Sequence, residues 1–124
     1  MAAERILVVD DNAQNLKLAR VLLTSAGYEV KTAVDAADTW RALEQFDAKL
    51  VLMDLQLPDL DGLELTRRLK ALPRWSKLKV VALTAYAMKG DREKALAAGC
   101  DGYVTKPVDA DLLLRTVAEQ LDGP

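Results

Sequence analysis

The sequence predicts an α/β fold in which helices cover both faces of a single parallel β-sheet, and three observations lead to this prediction. Short apolar runs rich in β-branched residues recur along the 124-residue chain, as expected for strands that are buried on both faces. Segments with apolar residues at helical spacing separate these runs. Successive runs lie roughly 20 to 30 residues apart, which is the length of a β-α-β unit. Five strands alternating with five helices therefore predict one doubly wound domain.

The first half of the chain predicts two strand–helix pairs. Residues 6–9 are a continuous apolar run and predict the first strand. The sequence Asp-Asp-Asn at residues 10–12 offers N-caps for the helix that follows, and Gly27 provides its left-handed C-cap. Residues 28–33 predict the second strand, and a helix that begins with an aspartate cap follows over residues 35–46.

The second half of the chain repeats this alternation three times. Residues 50–53 are a third apolar strand, and residues 57–62 have the Pro, Asp and Gly content of a turn. The remaining predicted elements are helices over residues 63–71, 91–99 and 109–121, and strands over residues 80–83 and 102–105. No low-complexity segment or linker divides the sequence, so residues 1–124 are expected to form one domain.

The composition excludes several kinds of site and partner. The chain has no histidine and only Cys100, which excludes the usual zinc sites, a Ser-His-Asp triad and a disulfide framework. A net charge of −2 argues against nucleic acid as a direct partner. No apolar run approaches the ~20 residues of a membrane span, and residues 1–5 lack the apolar stretch of a signal peptide. We therefore expect a cytoplasmic protein without a membrane partner, in which any metal is hard and oxygen-ligated.

Polar residues follow four of the five predicted strands. Asp10 and Asp11 follow the first strand, Asp54 the third, Thr84 the fourth and Lys106 the fifth. Parallel strands end on the same edge of a sheet, where such folds place their ligand sites, so these side chains should converge. Each of them alone has an ordinary explanation as a helix cap, a turn residue or a solvated lysine. Together they indicate a site, because clustered carboxylates are tolerated mainly where a cation binds.

Phosphoryl transfer to a carboxylate is the chemistry that suits this set of residues. Mg²⁺ prefers several hard oxygen ligands in octahedral geometry, which two acids and a carbonyl supply together with water. A third carboxylate can attack phosphorus in line. Lys106 and the metal would then neutralise the equatorial oxygens of the transferred group.

These residues lie in segments that resemble the receiver domain of two-component response regulators. The matching segments are LVVDDN at residues 7–12, LMDLQLPDLDG at 52–62, LTA at 83–85 and YVTKP at 103–107. They occur in order and at the family's spacing over nearly the whole chain. Residues 86–91 look like those of stand-alone DivK-type regulators and of the receivers of hybrid histidine kinases. The resemblance implies a flavodoxin-like fold with strand order 2-1-3-4-5.

The resemblance also implies a role for each residue at the predicted edge. Asp54 would be the phosphoacceptor, and Asp10 and Asp11 would be acidic residues of a Mg²⁺ site. Asp11 would bind the metal directly, together with Asp54 and the backbone carbonyl of Gln56. Lys106 would pair with the phosphoryl group.

A switch and a set of partners follow from the same resemblance. Thr84 and Tyr103 would be the switch pair, Tyr86 would tune dephosphorylation together with Gln56, and the peptide bond between residues 106 and 107 would be cis. The phosphoryl donor would be a histidine kinase or a histidine phosphotransfer protein. An output protein would bind the surface of the fourth helix, fifth strand and fifth helix, and a phosphorylation-dependent dimer is a further implied state. The protein would be a signalling receiver that catalyses only its own phosphorylation and dephosphorylation.

Three other functions deserve comparison with the receiver. A Mg²⁺-dependent phosphatase of the haloacid-dehalogenase type also has an aspartyl nucleophile, but it normally has a second acid two residues later, where this sequence has Gln56. A flavodoxin-type flavin carrier shares the fold, yet the acids after the first strand would repel its phosphate. A scaffold that is never phosphorylated is the third alternative. Turnover of a phosphate ester would favour the first of these, and a yellow cofactor the second.

Overall fold

The computed structural model describes residues 3–85, 90–106 and 108–122. Within these residues the strands are β1 (Arg5–Val9), β2 (Glu29–Ala33), β3 (Leu50–Asp54), β4 (Lys79–Thr84) and β5 (Gly102–Thr105). The α-helices are α1 (Ala13–Ser25), α2 (Ala36–Gln45), α3 (Gly62–Lys70), α4 (Asp91–Ala97) and α5 (Ala110–Asp122), and Pro73–Trp75 form a turn of 3₁₀ helix. Each strand lies within two residues of its predicted position.

The strands form one parallel sheet in the order β2-β1-β3-β4-β5. This order confirms the predicted flavodoxin-like fold. The chain moves outward from β1 to β2 and then returns to place β3 on the other side of β1. The carboxyl ends of β1 and β3 are therefore the point where the order reverses, which is where open α/β sheets form a crevice.

Alternating strand residues enter two apolar layers, one on each face of the sheet. The face covered by α2, α3 and α4 contains Leu7, Val9, Val51, Met53, Val80 and Ala82, packed with Leu43, Leu65, Leu69 and Ala95. The face covered by α1 and α5 contains Ile6, Val8, Leu50, Leu52, Val81 and Leu83, packed with Ala19, Leu23, Leu113 and Val117. All five residues of the central strand β3 are buried. The polar residue at its end is consequently held by a buried, largely apolar strand.

Helix α4 ends two residues earlier than the sequence predicts. Ala98 caps the helix, and Gly99 follows with a φ of 107°, a left-handed conformation that glycine adopts without a steric penalty.

Among the described residues, no helix has both the length and the apolar composition needed to cross a membrane.

Candidate phosphoacceptor and cation site

The backbone ladder places the predicted site residues at the carboxyl edge of the sheet. It continues past β1 to Asp10, whose N–H donates to the carbonyl of Ala33 at 3.1 Å. Asp54 is the last residue of β3. Lys106 follows β5, and its N–H donates to the carbonyl of Thr84 at 2.7 Å. The strand ends therefore converge as the sequence indicates.

Asp10, Asp11 and Asp54 form a carboxylate cluster. One oxygen atom from each side chain lies within 4.8 Å of those of the other two. Asp10 is 1% exposed and Asp54 is 4% exposed, whereas Asp11 lies at the surface. Repulsion between carboxylates strengthens as they leave water, so the cluster is electrostatically unfavourable by itself. Its oxygen donors and its charge are those of a site for a hard cation.

The first turn of α1 explains why two of these acids lie in the cluster. The N-cap of α1 is Asn12, whose side-chain oxygen accepts hydrogen bonds from the N–H groups of Gln14 and Asn15 at 2.9 and 3.1 Å. Asp10 instead accepts a hydrogen bond from the N–H of Asn12 through Oδ1 at 2.9 Å. The sequence offered residues 10–12 as alternative caps, and the structure selects the last of them. The carboxylates of Asp10 and Asp11 belong to the cluster.

Lys106 is the ammonium group at the cluster. Its Nζ lies 2.9 Å from Asp10 Oδ2 and 3.5 Å from Asp54 Oδ2, and its side chain is 18% exposed. Burial by itself would lower the pKa of Lys106, but the hydrogen bond and the charge of Asp10, with a contribution from Asp54, outweigh it and raise the pKa. Lys106 is therefore a cation at neutral pH. Three carboxylates and one ammonium leave a formal charge of −2, which one divalent cation would neutralise.

The pKa of Asp54 lies above its ordinary value. Burial is the largest effect and raises the pKa, and the nearby charge of Asp10 raises it further. The N–H of Gln56, which donates to Asp54 Oδ1 at 3.0 Å, and the ammonium of Lys106 both act in the opposite direction. The net result is a raised pKa, and added positive charge beside Asp54 would favour its ionised form.

The loop between β3 and α3 holds the main chain of Gln56 beside Asp54. The N–H of Leu55 donates to the carbonyl of Leu83 at 3.0 Å, and the N–H of Gly62 donates to the carbonyl of Leu55 at 3.1 Å. Gln56 also forms an isolated antiparallel bridge with Asp61. A Cβ at Gly62 would lie only 2.7 Å from the Cα of Leu55, so only glycine fits where α3 begins.

Asp59 is a residue whose contacts the sequence analysis missed. Its Oδ1 and Oδ2 accept hydrogen bonds from the N–H groups of Ala36 and Ala37 at 2.9 and 3.1 Å, across 23 and 22 residues of sequence. The bond from Ala36 is the main reason that the pKa of Asp59 lies below its ordinary value. The sequence showed this residue only as part of a turn, and no local pattern reveals a partner so far away along the chain.

Thr84 and Tyr103 lie on the same face of neighbouring strands. Thr84 is buried at the end of β4, and Tyr103 is partly buried on β5. The register pairs Tyr103 with Ala82, which is two residues before Thr84. The Tyr103 ring packs against the layer that contains α3 and α4. Burial raises the pKa of Tyr103, and so do the charges of Asp91 and Glu93 in the first turn of α4.

Two expectations fall outside the described residues. One concerns Tyr86, in the part (residues 86–89) of the DivK-like segment 86–91 that lies outside the described residues, and the other concerns the bond between Lys106 and Pro107.

A comparison with protein families adds to this geometry. A family model described as the response regulator receiver domain matches residues 6–118. The chain belongs to this family. The matched range includes the carboxylate cluster, Lys106, Thr84 and Tyr103.

Individual relatives resemble this receiver over almost their whole length. It is 37% identical over 119 residues to the polar-differentiation response regulator DivK of Brucella ovis, and the match covers 94% of each chain. The structure of a CheY-like receiver domain protein from Methanospirillum hungatei JF-1 has 35% identity and a TM-score of 0.88, covering 97% of this chain and 94% of that one. The receiver domain of the sensor histidine kinase PA1611 from Pseudomonas aeruginosa PAO1 has 35% identity and a TM-score of 0.89, covering 98% and 100%. That domain has a magnesium ion coordinated in its active site cleft.

Family membership favours the receiver over the phosphatase. The receiver is a signalling protein of the two-component class, and the comparisons give no support to a phosphatase of the haloacid-dehalogenase type. The roles of individual residues in this chain remain predictions.

Proposed function

We propose that this receiver accepts a phosphoryl group on Asp54 from a phosphohistidine of a histidine kinase or a histidine phosphotransfer protein, in a reaction that requires Mg²⁺. In this proposal residues 1–124 act as one cytoplasmic receiver domain that catalyses only its own phosphorylation and dephosphorylation. The observation that carries it is the carboxylate cluster, in which the two buried acids, Asp10 and Asp54, share Lys106 and the exposed Asp11 lies beside them. Asp11, Asp54 and the Gln56 carbonyl would hold the metal, and Asp10 would support it.

Each residue of the site has a part in the transfer. A carboxylate oxygen of Asp54 attacks phosphorus while the bond from phosphorus to the donor imidazole nitrogen breaks, and that nitrogen keeps the electron pair. The product is an acyl phosphate on Asp54. Lys106, whose Nζ is 3.5 Å from Asp54 Oδ2, is placed to pair with a phosphoryl oxygen. Asp10 fixes that ammonium through its 2.9 Å ion pair. When bound, Mg²⁺ supplies the positive charge that stabilises both the ionised cluster and the transferred group.

Acetyl phosphate tests this proposal without a kinase. Intact mass spectrometry after incubation with acetyl phosphate and Mg²⁺ should show one added phosphate, which hydroxylamine should remove because acyl phosphates are labile. Chelation of the metal should abolish the adduct. Asp54→Asn should not be labelled, whereas Asp47→Asn, which changes an exposed acid with an 80% accessible side chain, should be labelled normally. Undiminished labelling of Asp54→Asn would refute the assignment.

We propose further that Thr84 and Tyr103 convert phosphorylation into a change of surface. Thr84 ends β4 beside Asp54, so its hydroxyl can hydrogen-bond a phosphoryl oxygen. Movement of Thr84 towards the phosphoryl group vacates space that the Tyr103 ring can fill. An output protein, or a second copy of the receiver, would then bind the altered surface of α4, β5 and α5. A bias of about 3 kcal/mol is sufficient, since it changes the ratio of two states by more than a hundredfold.

Amide chemical shifts test this coupling. Thr84→Ala should still be phosphorylated on Asp54, but the shifts around Tyr103 and residues 90–98 should change much less than in the phosphorylated wild type. If they change equally, Thr84 is not the coupling residue.

A further inference from the structure

Asp59 connects the loop that follows Asp54 to the start of helix α2. We propose that Asp59 is a positioning residue for the cation site. Its carboxylate holds the β3–α3 loop, and with it the main chain of Gln56, against the start of α2. This inference rests on the proposed Mg²⁺ site. Asp59 itself is exposed and is not a member of the carboxylate cluster.

The loop is anchored close to the sheet at both of its ends. At the first end, the N–H of Gln56 donates to Asp54 Oδ1 at 3.0 Å. At the second end, Gly62 donates to the carbonyl of Leu55 at 3.1 Å, and Asp61 bridges back to Gln56. Asp59 lies between these anchors, and its two hydrogen bonds to Ala36 and Ala37 tie the middle of the loop to α2. Two directed bonds to a charged acceptor restrain a loop more strongly than one neutral bond.

The first turn of α2 is a suitable support for a carboxylate. The N–H groups of the first residues of a helix have no partners within the helix, and the helix dipole favours negative charge there. Asp35 caps α2 by accepting a hydrogen bond from the N–H of Asp38 at 2.8 Å. Asp59 accepts hydrogen bonds from the N–H groups of Ala36 and Ala37, the two residues before Asp38. These bonds hold the pKa of Asp59 below its usual value, so its carboxylate stays ionised at neutral pH. Helix α2 is itself fixed, because Ala36, Thr39, Ala42 and Leu43 are buried.

The effect of losing this restraint should appear in metal affinity. If the loop samples other conformations, the Gln56 carbonyl is in place for a smaller fraction of the time, and the apparent dissociation constant rises in inverse proportion to that fraction. Removal of a group that orients a metal ligand commonly weakens binding 10- to 100-fold. We expect a value near the lower limit, about tenfold, since the ends of the loop keep their own hydrogen bonds.

Asp35→Ala is the matched control for Asp59→Ala. Both changes remove a carboxylate from the same helix terminus, so both should lower the melting temperature of the metal-free protein by a similar amount. Only Asp59→Ala releases the loop. Asp59→Asn keeps a single acceptor oxygen in place of two and should give an intermediate affinity.

Titration with Mg²⁺ alone, by calorimetry and by the amide shifts of Leu55 and Gln56, distinguishes the outcomes. The inference predicts a dissociation constant for Mg²⁺ about tenfold larger in Asp59→Ala than in wild type, and an unchanged constant in Asp35→Ala. Equal affinity of Asp59→Ala and wild type would overturn the inference alone. An equal loss in Asp35→Ala would also overturn it, because the effect would then come from the helix terminus rather than the loop. Absence of Mg²⁺ binding by the wild type would overturn the proposed function together with it.

Discussion

Three ion pairs at the amino edge of the parallel sheet differ in exposure and charge balance from the cluster at its carboxyl edge. At the amino edge, Arg5 pairs with Glu29 at 3.1 Å, Arg74 with Glu44 at 2.8 Å and Lys49 with Asp47 at 3.9 Å. Every one of these side chains is at least 45% exposed. At the carboxyl edge, the side chains of Asp10 and Asp54 are 1% and 5% exposed and share Lys106.

The difference in exposure and charge balance predicts different effects on stability for the surface ion pairs and for the carboxylate cluster. Each of these three pairs is neutral by itself and is screened by water, so its contribution to the free energy of unfolding is small. The carboxyl-edge cluster is short of positive charge and is partly removed from water, so it costs stability until a cation binds. The residues of these three exposed pairs can therefore be exchanged with little effect, whereas those of the carboxyl-edge cluster depend on one another.

Removal of the lysine charge should have the largest effect on stability. Lys106→Met keeps the apolar stem and deletes the ammonium, leaving Asp10 and Asp54 without their shared partner. We expect the metal-free protein to lose about 3 kcal/mol of unfolding free energy at neutral pH, because the loss of one partner leaves buried charge unpaired. Urea denaturation measures this change. Loss of less than about 1 kcal/mol would show that the cluster is no more demanding than a surface pair.

The pH dependence of that loss has a definite sign. The pKa of Asp54 is already raised above 3.8, chiefly by burial, and the loss of Lys106 removes an interaction that lowers it. When a carboxyl group has a higher pKa in the folded than in the unfolded state, the free energy of unfolding falls as the pH rises from the unfolded-state pKa through the folded-state pKa. The penalty is complete above the folded pKa. The deficit of Lys106→Met relative to wild type should therefore shrink as the pH falls, and a deficit that grows in acid would contradict the assignment.

A methyl group at Gly62 should have the next largest effect. The added Cβ would overlap the backbone of Asp54 and Leu55, which belongs to the end of a central strand and cannot move easily. We expect Gly62→Ala to cost about 2 kcal/mol of unfolding free energy and to weaken Mg²⁺ binding. Gly27→Ala is the control. Its φ of 97° disfavours alanine by about 1 kcal/mol, but no atom lies within 4 Å of the added Cβ, so Mg²⁺ binding should not change.

Mg²⁺ itself should stabilise the protein by an intermediate amount. At a concentration ten times its dissociation constant, binding to the folded state adds about 1.4 kcal/mol. Asp11→Asn should relieve repulsion in the metal-free cluster and weaken the response to Mg²⁺. Differential scanning calorimetry with and without metal measures both effects. An Asp11→Asn variant that melts lower without metal, and still responds fully to Mg²⁺, would count against this description of the cluster.

The smallest effect should come from the amino edge. Arg74→Met makes the same kind of change as Lys106→Met, at an ion pair that is 2.8 Å long but more than half exposed. The guanidinium also lies over the Trp75 ring, with 4.9 Å between Cζ and the ring centroid. We expect urea denaturation to show a loss of about 0.5 kcal/mol of unfolding free energy. Such a small loss is typical of an exposed ion pair with a cation–π contact. A loss as large as that of Lys106→Met would remove the contrast between the edges.

The carboxyl edge was more predictable from sequence than its supporting contacts. Asp10, Asp54, Thr84 and Lys106 could be placed together because each follows an apolar run, and strands of a parallel sheet end at one edge. The strand order came from the family resemblance and not from the periodicity, since apolar runs do not reveal their neighbours.

Two local details could not be read from the residues for different reasons. Residues 10–12 all have side chains that cap helices, and only the backbone geometry selects Asn12. The contact between Asp59 and the start of α2 spans more than 20 residues, so it depends on how the helix packs against the sheet. Local sequence patterns predict which element forms, and tertiary packing decides which of several suitable side chains is used.

The strand order also determines when the site can exist during synthesis of the chain. Lys106 meets Asp10 across 96 residues, and closing a loop of that length costs about 4 kcal/mol of entropy. A nascent chain that has emerged only as far as β3 contains both buried acids but not the lysine that compensates them. The acids can remain in water until β5 adds to the sheet. Under the proposed function, competence for phosphorylation is therefore acquired only when β5 has joined the sheet, so a receiver truncated before β5 should not be labelled by acetyl phosphate.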